Sequence, residues 1–227
     1  MKKRTTFPAS LFTGLAGLLA AYALSLDLRA EESPAPKTEH QWTALFNGKD
    51  LSGWKQVDKG GFVIEDGVLK TQGGMGLLYY KERPFENAVI RVVYKNPGGK
   101  NAGVFIRIPK PPKDAWDGVH KGYEVQIDDR GDAYHKTGVL YSLTKAKASP
   151  SKPDEWNTME ITLDGEHTRV HVNGVLVTDF KEGDEVPKKK IWYEPDRGTR
   201  PVKGYIGLQN HGDHDIVYFK EVSYRPL

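Results

Sequence analysis

Residues 161–177 read ITLDGEHTRVHVNGVLV. Apolar and polar side chains alternate along this stretch, and Asp164-Gly165 and Asn173-Gly174 break it where a chain could reverse. Alternation with period two is the signature of a half-buried strand. Asp-Gly and Asn-Gly tolerate the positive φ that tight hairpin turns demand. A third hairpin signal lies upstream, where Asp66-Gly67 separates Phe62–Glu65 from Val68–Lys70. Further strands read at Ala88–Tyr94, Gly103–Ile108, Tyr123–Asp128, Gly138–Leu143, Gly204–Gln209 and Ile216–Tyr224. Many short strands with Gly-rich turns predict an all-β sandwich or barrel in a single domain. Two segments resist a strand reading, 109–121 and 181–202. The second is long for a loop in a compact domain, and loops of that length are often functional.

Composition bounds the function. The chain has 227 residues, no cysteine and 24 aromatic side chains (5 Trp, 11 Tyr, 8 Phe), enough for one domain with a full core. The absence of cysteine removes disulfides, thiolate metal sites and thiol nucleophiles together. The net charge of +3 sits entirely in residues 1–30, where Lys2, Lys3, Arg4 and Arg29 face only Asp27. The rest of the chain is neutral, which argues against nucleic acid or an anionic membrane as partner.

The N-terminal segment reads as an address. A basic start precedes the apolar run LFTGLAGLLAAYALSL (Leu11–Leu26), which is shorter than a membrane-spanning helix and interrupted by Gly14 and Gly17. A secretory signal over 1–30, cut after Ala30 or Ala23, fits better than a retained anchor helix, so no stable membrane anchor is expected after cleavage. Export to the periplasm or the medium follows as an expectation. Residues 31–41 then form a polar lead-in, and 42–227 the domain.

Parity sorts the polar side chains. In a strand, successive side chains alternate faces. In GYEVQIDD, Tyr123, Val125 and Ile127 share one face, leaving Glu124, Gln126 and Asp128 on the other. In NAGVFIRI, Val104, Ile106 and Ile108 form the natural core face, with Asn101, Gly103, Phe105 and Arg107 opposite. In YIGLQNHG, Ile206 and Leu208 point inward, and Gly207, Gln209 and His211 outward. For TGVLYSL, parity does not say whether Val139, Tyr141 and Leu143 or Leu140 and Ser142 face out. Amides, Arg, His and an acid on non-core faces suit the gripping of hydroxyl groups, because they donate and accept or pair bidentately.

The blocks LFNGKDLSGW (45–54), EDGVL (65–69), GLLYYKE (76–82), NAGVFIRIP (101–109), GYEVQIDD (122–129), TGVLYSL (137–143), EWNTMEI (155–161), VHVNGVLV (170–177) and GYIGLQNHG (204–212) follow one another in order. In this ordered set the chain resembles the 3-keto-disaccharide hydrolase family over residues 42–227. Ala102 departs from it, since the family usually has Ser there. The resemblance implies a concanavalin-A-like jelly-roll sandwich of two antiparallel sheets, with carbohydrate held on one sheet and cleavage of 3-keto-glycosides as the activity.

That chemistry agrees with what the residues allow. Ordinary glycosidases need two carboxylates about 5–5.5 Å or 6.5–9.5 Å apart. Glu124 and Asp128 lie roughly 13 Å apart along one strand at ~3.3 Å per residue, so they do not form such a pair. A ketone at C3 acidifies the C2 hydrogen, and one base then suffices for elimination of the glycosidic oxygen, followed by addition of water. Glu124 or His211 is the candidate base, Arg107 and Gln126 the oxyanion donors, and His135 or Tyr141 the proton donor to the leaving group. Asn101, Phe105, Gln126, Asp128, Gln209 and Trp116 are candidate substrate contacts; of Trp54, Trp116 and Trp192, which could stack on sugar rings, Trp116, in a loop, is a better platform than Trp54. The bland readings are a cross-strand Arg107–Glu124 ion pair and a solvated turn at HGDHD (211–215). Asp128, Asp129 and Asp132 lack the spacing of a calcium loop, and no cofactor is expected. The competing function is a non-catalytic, lectin-like carbohydrate-binding sandwich.

Overall fold

The computed structural model describes residues 41–227; the expected secretory signal (1–30) and nearly all of the expected lead-in (31–41) lie outside the described residues. The chain runs β1 (Thr43–Ala44), β2 (Trp54–Val57), β3 (Gly61–Glu65), β4 (Val68–Gln72), β5 (Gly76–Tyr80), β6 (Ala88–Lys95), β7 (Ala102–Ile108), α1 (Ala115–Lys121), β8 (Tyr123–Ile127), β9 (Trp156–Asp164), β10 (His167–Val172), β11 (Val175–Lys181), β12 (Tyr205–Asn210) and β13 (Tyr218–Pro226). The strands form two antiparallel sheets. One has the order β11-β10-β9-β6-β13-β4-β3, with β1 also on β13, and the other the order β2-β5-β12-β7-β8. This is the all-β jelly-roll sandwich expected from the sequence.

Two of the three hairpin signals hold where they were read. Asp66 and Gly67 have φ of 50° and 77°, and Asn173 and Gly174 have 49° and 77°, the double-positive turn that matches strand twist. The third reversal falls one residue later, with Asp164 still in β9 and Gly165 at φ 53°.

The core lies between the sheets. Leu78, Val104, Ile106, Tyr123, Val125, Ile127, Ile206 and Leu208 face Ile90, Val92, Tyr94, Met159, Ile161, Val170 and Phe219. A second, smaller apolar cluster sits on the other face of the five-stranded sheet, where Leu77, Tyr79, Phe105 and Ile108 pack against Ala115 and Val119 of α1. The helix is fixed at its start: Asp114 accepts the Asp117 amide at 2.9 Å, and Asp58 accepts the Ala115 amide at 2.6 Å. It therefore covers part of a sheet face that would otherwise meet solvent.

Two expectations need correction. Gly138–Leu143 is not a strand; only a single bridge joins Leu140 to Val125. The segment still lies along the free edge of β8, with Gly138 donating to the Gln126 carbonyl, Gln126 to Val139 and Tyr141 to Glu124. Ser142 at φ 59° turns the chain away before a ladder can extend. Val139 and Leu140 both enter the core, so the alternation is broken there.

The second correction concerns Arg107. Between Phe105 and Ile108, β7 carries one more residue than β12 opposite, a bulge, and Arg107 sits at φ 55°. The extra residue reverses parity, which puts Ile108 on the helix side and sends Arg107 to the end of the sandwich. Its side chain is fully buried, donating to Thr168 Oγ1 and to the carbonyls of Gly165, His167, Pro201 and Val202 at 2.8–3.2 Å. It pins the β9–β10 turn to the chain entering β12. Replacing Arg107 with Leu leaves four half-buried carbonyls without their donor and removes a fully buried side chain from the end of the sandwich, and we expect a loss of about 3 kcal/mol in urea denaturation. A loss below about 1 kcal/mol would mean that water takes over those bonds and that the pin is not structural.

Candidate functional site

A cavity of about 440 Å³ opens on the helix-bearing face of the five-stranded sheet. Register builds its floor. Gly103 of β7 pairs with Gln126 of β8 on one side and with Gln209 of β12 on the other. Both glutamines thus flank a position without a side chain. Glu124, two residues before Gln126, leans into that space: a Cβ on Gly103 would stand 2.8 Å from both its Cγ and its Oε1. Tyr141 reaches the same floor because its amide is tied to the Glu124 carbonyl.

The remaining lining comes from Met75, Asn101, Trp116, Val119, Trp192, Tyr193 and His211. Asn101, just before β7, links two parts of the floor. Its Oδ1 accepts from Gln126 Nε2 at 3.2 Å, and its amide donates to Asp215 Oδ1 at 3.1 Å. The other Asp215 oxygen lies 3.0 Å from His211 Nδ1. Burial alone would raise the Asp215 pKa, but the bonds from Asn101 and His211 outweigh it and hold the group below the usual carboxylate range. An ionised Asp215 accepts the Nδ1 proton of His211 and leaves Nε2 as the free nitrogen of the ring.

Glu124 is the unusual group. It is 6% exposed, and desolvation pushes its pKa up to about 8 despite the amide of Gln209, which acts in the opposite direction. It is the one carboxylate among the cavity-lining residues. Burial, with Glu124, Tyr193 and Glu194 nearby, pushes the Tyr141 hydroxyl up to about 12, so it stays protonated and can donate. The Oε1 atoms of Gln126 and Gln209 are buried with no hydrogen-bond partner. Unmet acceptors on a cavity floor favour a ligand that brings hydroxyl donors.

Of the residues singled out from sequence, Glu124, Gln126, Asn101, Gln209, His211, Tyr141 and Trp116 meet at this cavity. Four do not. Arg107 serves the end of the sandwich, as described above. Phe105 is on the correct face but buried beneath α1. Asp128 lies past the end of β8 and spends its carboxylate on the amide and guanidinium of Arg130, at 2.8–3.1 Å. His135 lies 2.6 Å from Asp132 and sets its ring edge-on to Tyr141, centroids 5.3 Å apart, outside the lining. Trp54 is core, donating to the Leu45 carbonyl. Among the described residues, no group of three His, Asp or Glu side chains stands ready to hold a metal ion.

Sequence reading missed Met75, Val119 and Tyr193, which complete a second wall with Trp116 and Trp192. Trp192 and Tyr193 belong to the 182–204 loop, which two arginines shape, Arg200 buried and Arg197 half-buried. Arg200 donates to the carbonyls of Gly122, His120, Gly198 and Asp196. Arg197 donates to Pro187 and Pro195 and pairs with Glu194 at 3.0 Å. Trp192 reaches across to Trp116, ring centroids 4.9 Å apart.

The model of the 3-keto-alpha-glucoside-1,2-lyase-like domain family matches residues 41–225. The chain belongs to that family. Two solved structures from Parabacteroides distasonis ATCC 8503, each proposed to be a glycosyl hydrolase, share its fold. One is 27% identical with a TM-score of 0.68, covering 82% of this chain and all of its own; the other is 24% identical with a TM-score of 0.67, covering 82% and 94%. The carbohydrate binding module CBM66 from Bacillus subtilis, 14% identical with a TM-score of 0.51, covers 76% of this chain and 95% of its own and shows the sandwich alone. No curated protein sequence matches the chain. Together, family and fold define a carbohydrate-active sandwich domain.

The buried acid has a consequence for stability. Because the folded pKa of Glu124 lies above its ordinary value of 4.5, its contribution to stability is complete below that value and is lost as pH rises through about 8. Glu124→Gln removes this liability, so the variant should gain on the parent by roughly 2–4 kcal/mol between pH 5 and pH 9 in urea denaturation. A difference that stays flat over that range would show that the carboxylate is hydrated and its pKa ordinary.

Proposed function

We infer that the domain cleaves 3-keto-glycosides by elimination across C1 and C2. One observation carries the reading: a single buried carboxylate with a raised pKa stands among amide, imidazole and phenol groups, with no second acid on the cavity lining. Hydrolysis with two carboxylates has no partner for Glu124 here. Proton abstraction next to a ketone needs only one base, and a carboxylate held out of water is a strong one when ionised.

The steps follow. Glu124 takes the proton from C2, and the C–H electron pair forms the enolate of the C3 ketone. The amide groups of Gln126 and Gln209 lie at the floor where the enolate oxygen would develop charge, taking the role expected of Arg107. The enolate then re-forms the carbonyl, a double bond forms between C1 and C2, and the C1–O bond breaks. The departing oxygen receives its proton from the Tyr141 hydroxyl, while the free Nε2 of His211 accepts a hydrogen bond from a hydroxyl of the sugar. Addition of water across C1 and C2 returns a 3-keto sugar, so elimination and hydration together amount to hydrolysis. Export by the N-terminal segment, with its basic start and apolar run, is part of the proposal.

Incubating the domain with a 3-keto-α-glucoside should release the free alcohol and, in D₂O, return deuterium at C2 of the recovered sugar. Unoxidised glucosides should bind weakly and stay intact. Glu124→Gln and His211→Ala should each lower turnover about 100-fold or more. Both variants running near the parent rate would overturn the assignment of Glu124 and His211, and no turnover by the parent protein would favour a binding module. The rate should also follow the base: kcat/KM rises with pH and levels off above about 8, the limb vanishing in Glu124→Gln.

A further inference from the structure

The cavity has two unlike halves. All of its buried, unpartnered acceptors lie on the floor, at Gln126 and Gln209. The opposite wall consists of Trp116, Trp192, Tyr193, Met75 and Val119, where the Tyr193 hydroxyl and the indole N–H groups are the only side-chain polar atoms. Trp116 stacks on His120 at 5.6 Å and 21°, so one of its faces is already occupied. Trp192 tilts against it at 47°, and Tyr193 stands nearly perpendicular to Trp192 at 84°. The three rings make a corner rather than a flat platform. Trp192 is 68% exposed, yet the loop that carries it is held by the carbonyl bonds of Arg197 and Arg200. An exposed indole on a fixed loop beside a cavity is preorganised to be covered by a ligand.

We propose that this corner is the subsite for the leaving group and that it selects a planar aromatic aglycone over a second sugar. The inference rests on the 3-keto-glycoside reading above: with the keto sugar on the acceptor-rich floor, its C1 substituent extends toward the rings. A sugar there would set several hydroxyls against Met75, Val119 and Trp192, desolvating them without partners. A planar ring meets the corner face-on to one ring and edge-on to the next, the geometry aromatic pairs prefer. Class and subsite follow from this chain's own loop, since Trp192 and Tyr193 lie within the 181–202 segment that no motif explains.

The test compares benzyl with methyl 3-keto-glucoside. Their leaving alkoxides are of nearly equal basicity, so the ratio of kcat/KM reports contact with the aglycone. The parent protein should favour benzyl by about 10-fold or more, Trp192→Ala should collapse the ratio toward unity, and Trp192→Phe should keep most of it. A parent ratio near unity, or one that survives Trp192→Ala, overturns the subsite. Quenching of tryptophan fluorescence in the slow Glu124→Gln variant ranks binding directly. Benzyl 3-keto-glucoside should saturate at lower concentration than 3-keto-trehalose, and the reverse order would make the wall a sugar platform and refute the selection. Should neither glycoside be consumed by the parent protein, the elimination chemistry falls, while the fluorescence ranking still decides the aromatic preference.

Discussion

The site depends on an empty place in the sheet. At position 103, β7 has no side chain, and the Glu124 carboxylate of the neighbouring strand occupies the space a Cβ would take. Gln126 and Gln209 pair with the same residue in register from either side. One small residue thus lets an acid and two amides share a floor that ordinary strand spacing would crowd with a fourth side chain. The acid lies close to the sheet, where water is scarce, and that burial raises its pKa. Position, register and basicity follow from the same gap. Any substitution at Gly103 would push Glu124 out of the floor before it altered anything else.

Much of this was legible in the sequence wherever strands are regular. Alternation on β8 and β12 put Glu124, Gln126 and Gln209 on the outward face, and the sheet joins those strands through β7. Parity failed where the backbone departs from the pleat. Arg107 sits at a bulge with positive φ, and nothing in FIRIP distinguishes an outward arginine from one turned into the end of the sandwich. Asp128 failed because β8 ends at Ile127, after which the chain turns back along its own edge. Phe105 shows a different limit. Its face was read correctly, but parity gives no account of what covers a face, and α1 lies over it. The Asp114 cap and the Gly122 stop were signals that could have marked that helix.

What brings the aromatic wall together was illegible for a different reason. Residues 182–204 have no periodicity, because their order comes from side chain to carbonyl bonds rather than from a ladder. Arg200 also spans to Gly122 and His120, and so ties the loop to the end of α1. Trp116 and Trp192 are thereby held by one connected set of bonds although 76 residues separate them in sequence. Such long-range fixing is invisible to any reading of local pattern.

Floor and wall are built by different means, and this bears on how specificity could change within the sandwich. The floor is set by strand register, where a shift of one residue would turn every side chain to the other face. It is therefore bound to the fold itself. The wall hangs on a loop outside the ladder, fastened by two arginines whose partners are mostly backbone carbonyls, groups that every residue type supplies. Trp192 and Tyr193 could be exchanged for other side chains without disturbing those anchors. A chain organised this way keeps the floor constant and leaves the wall free to vary.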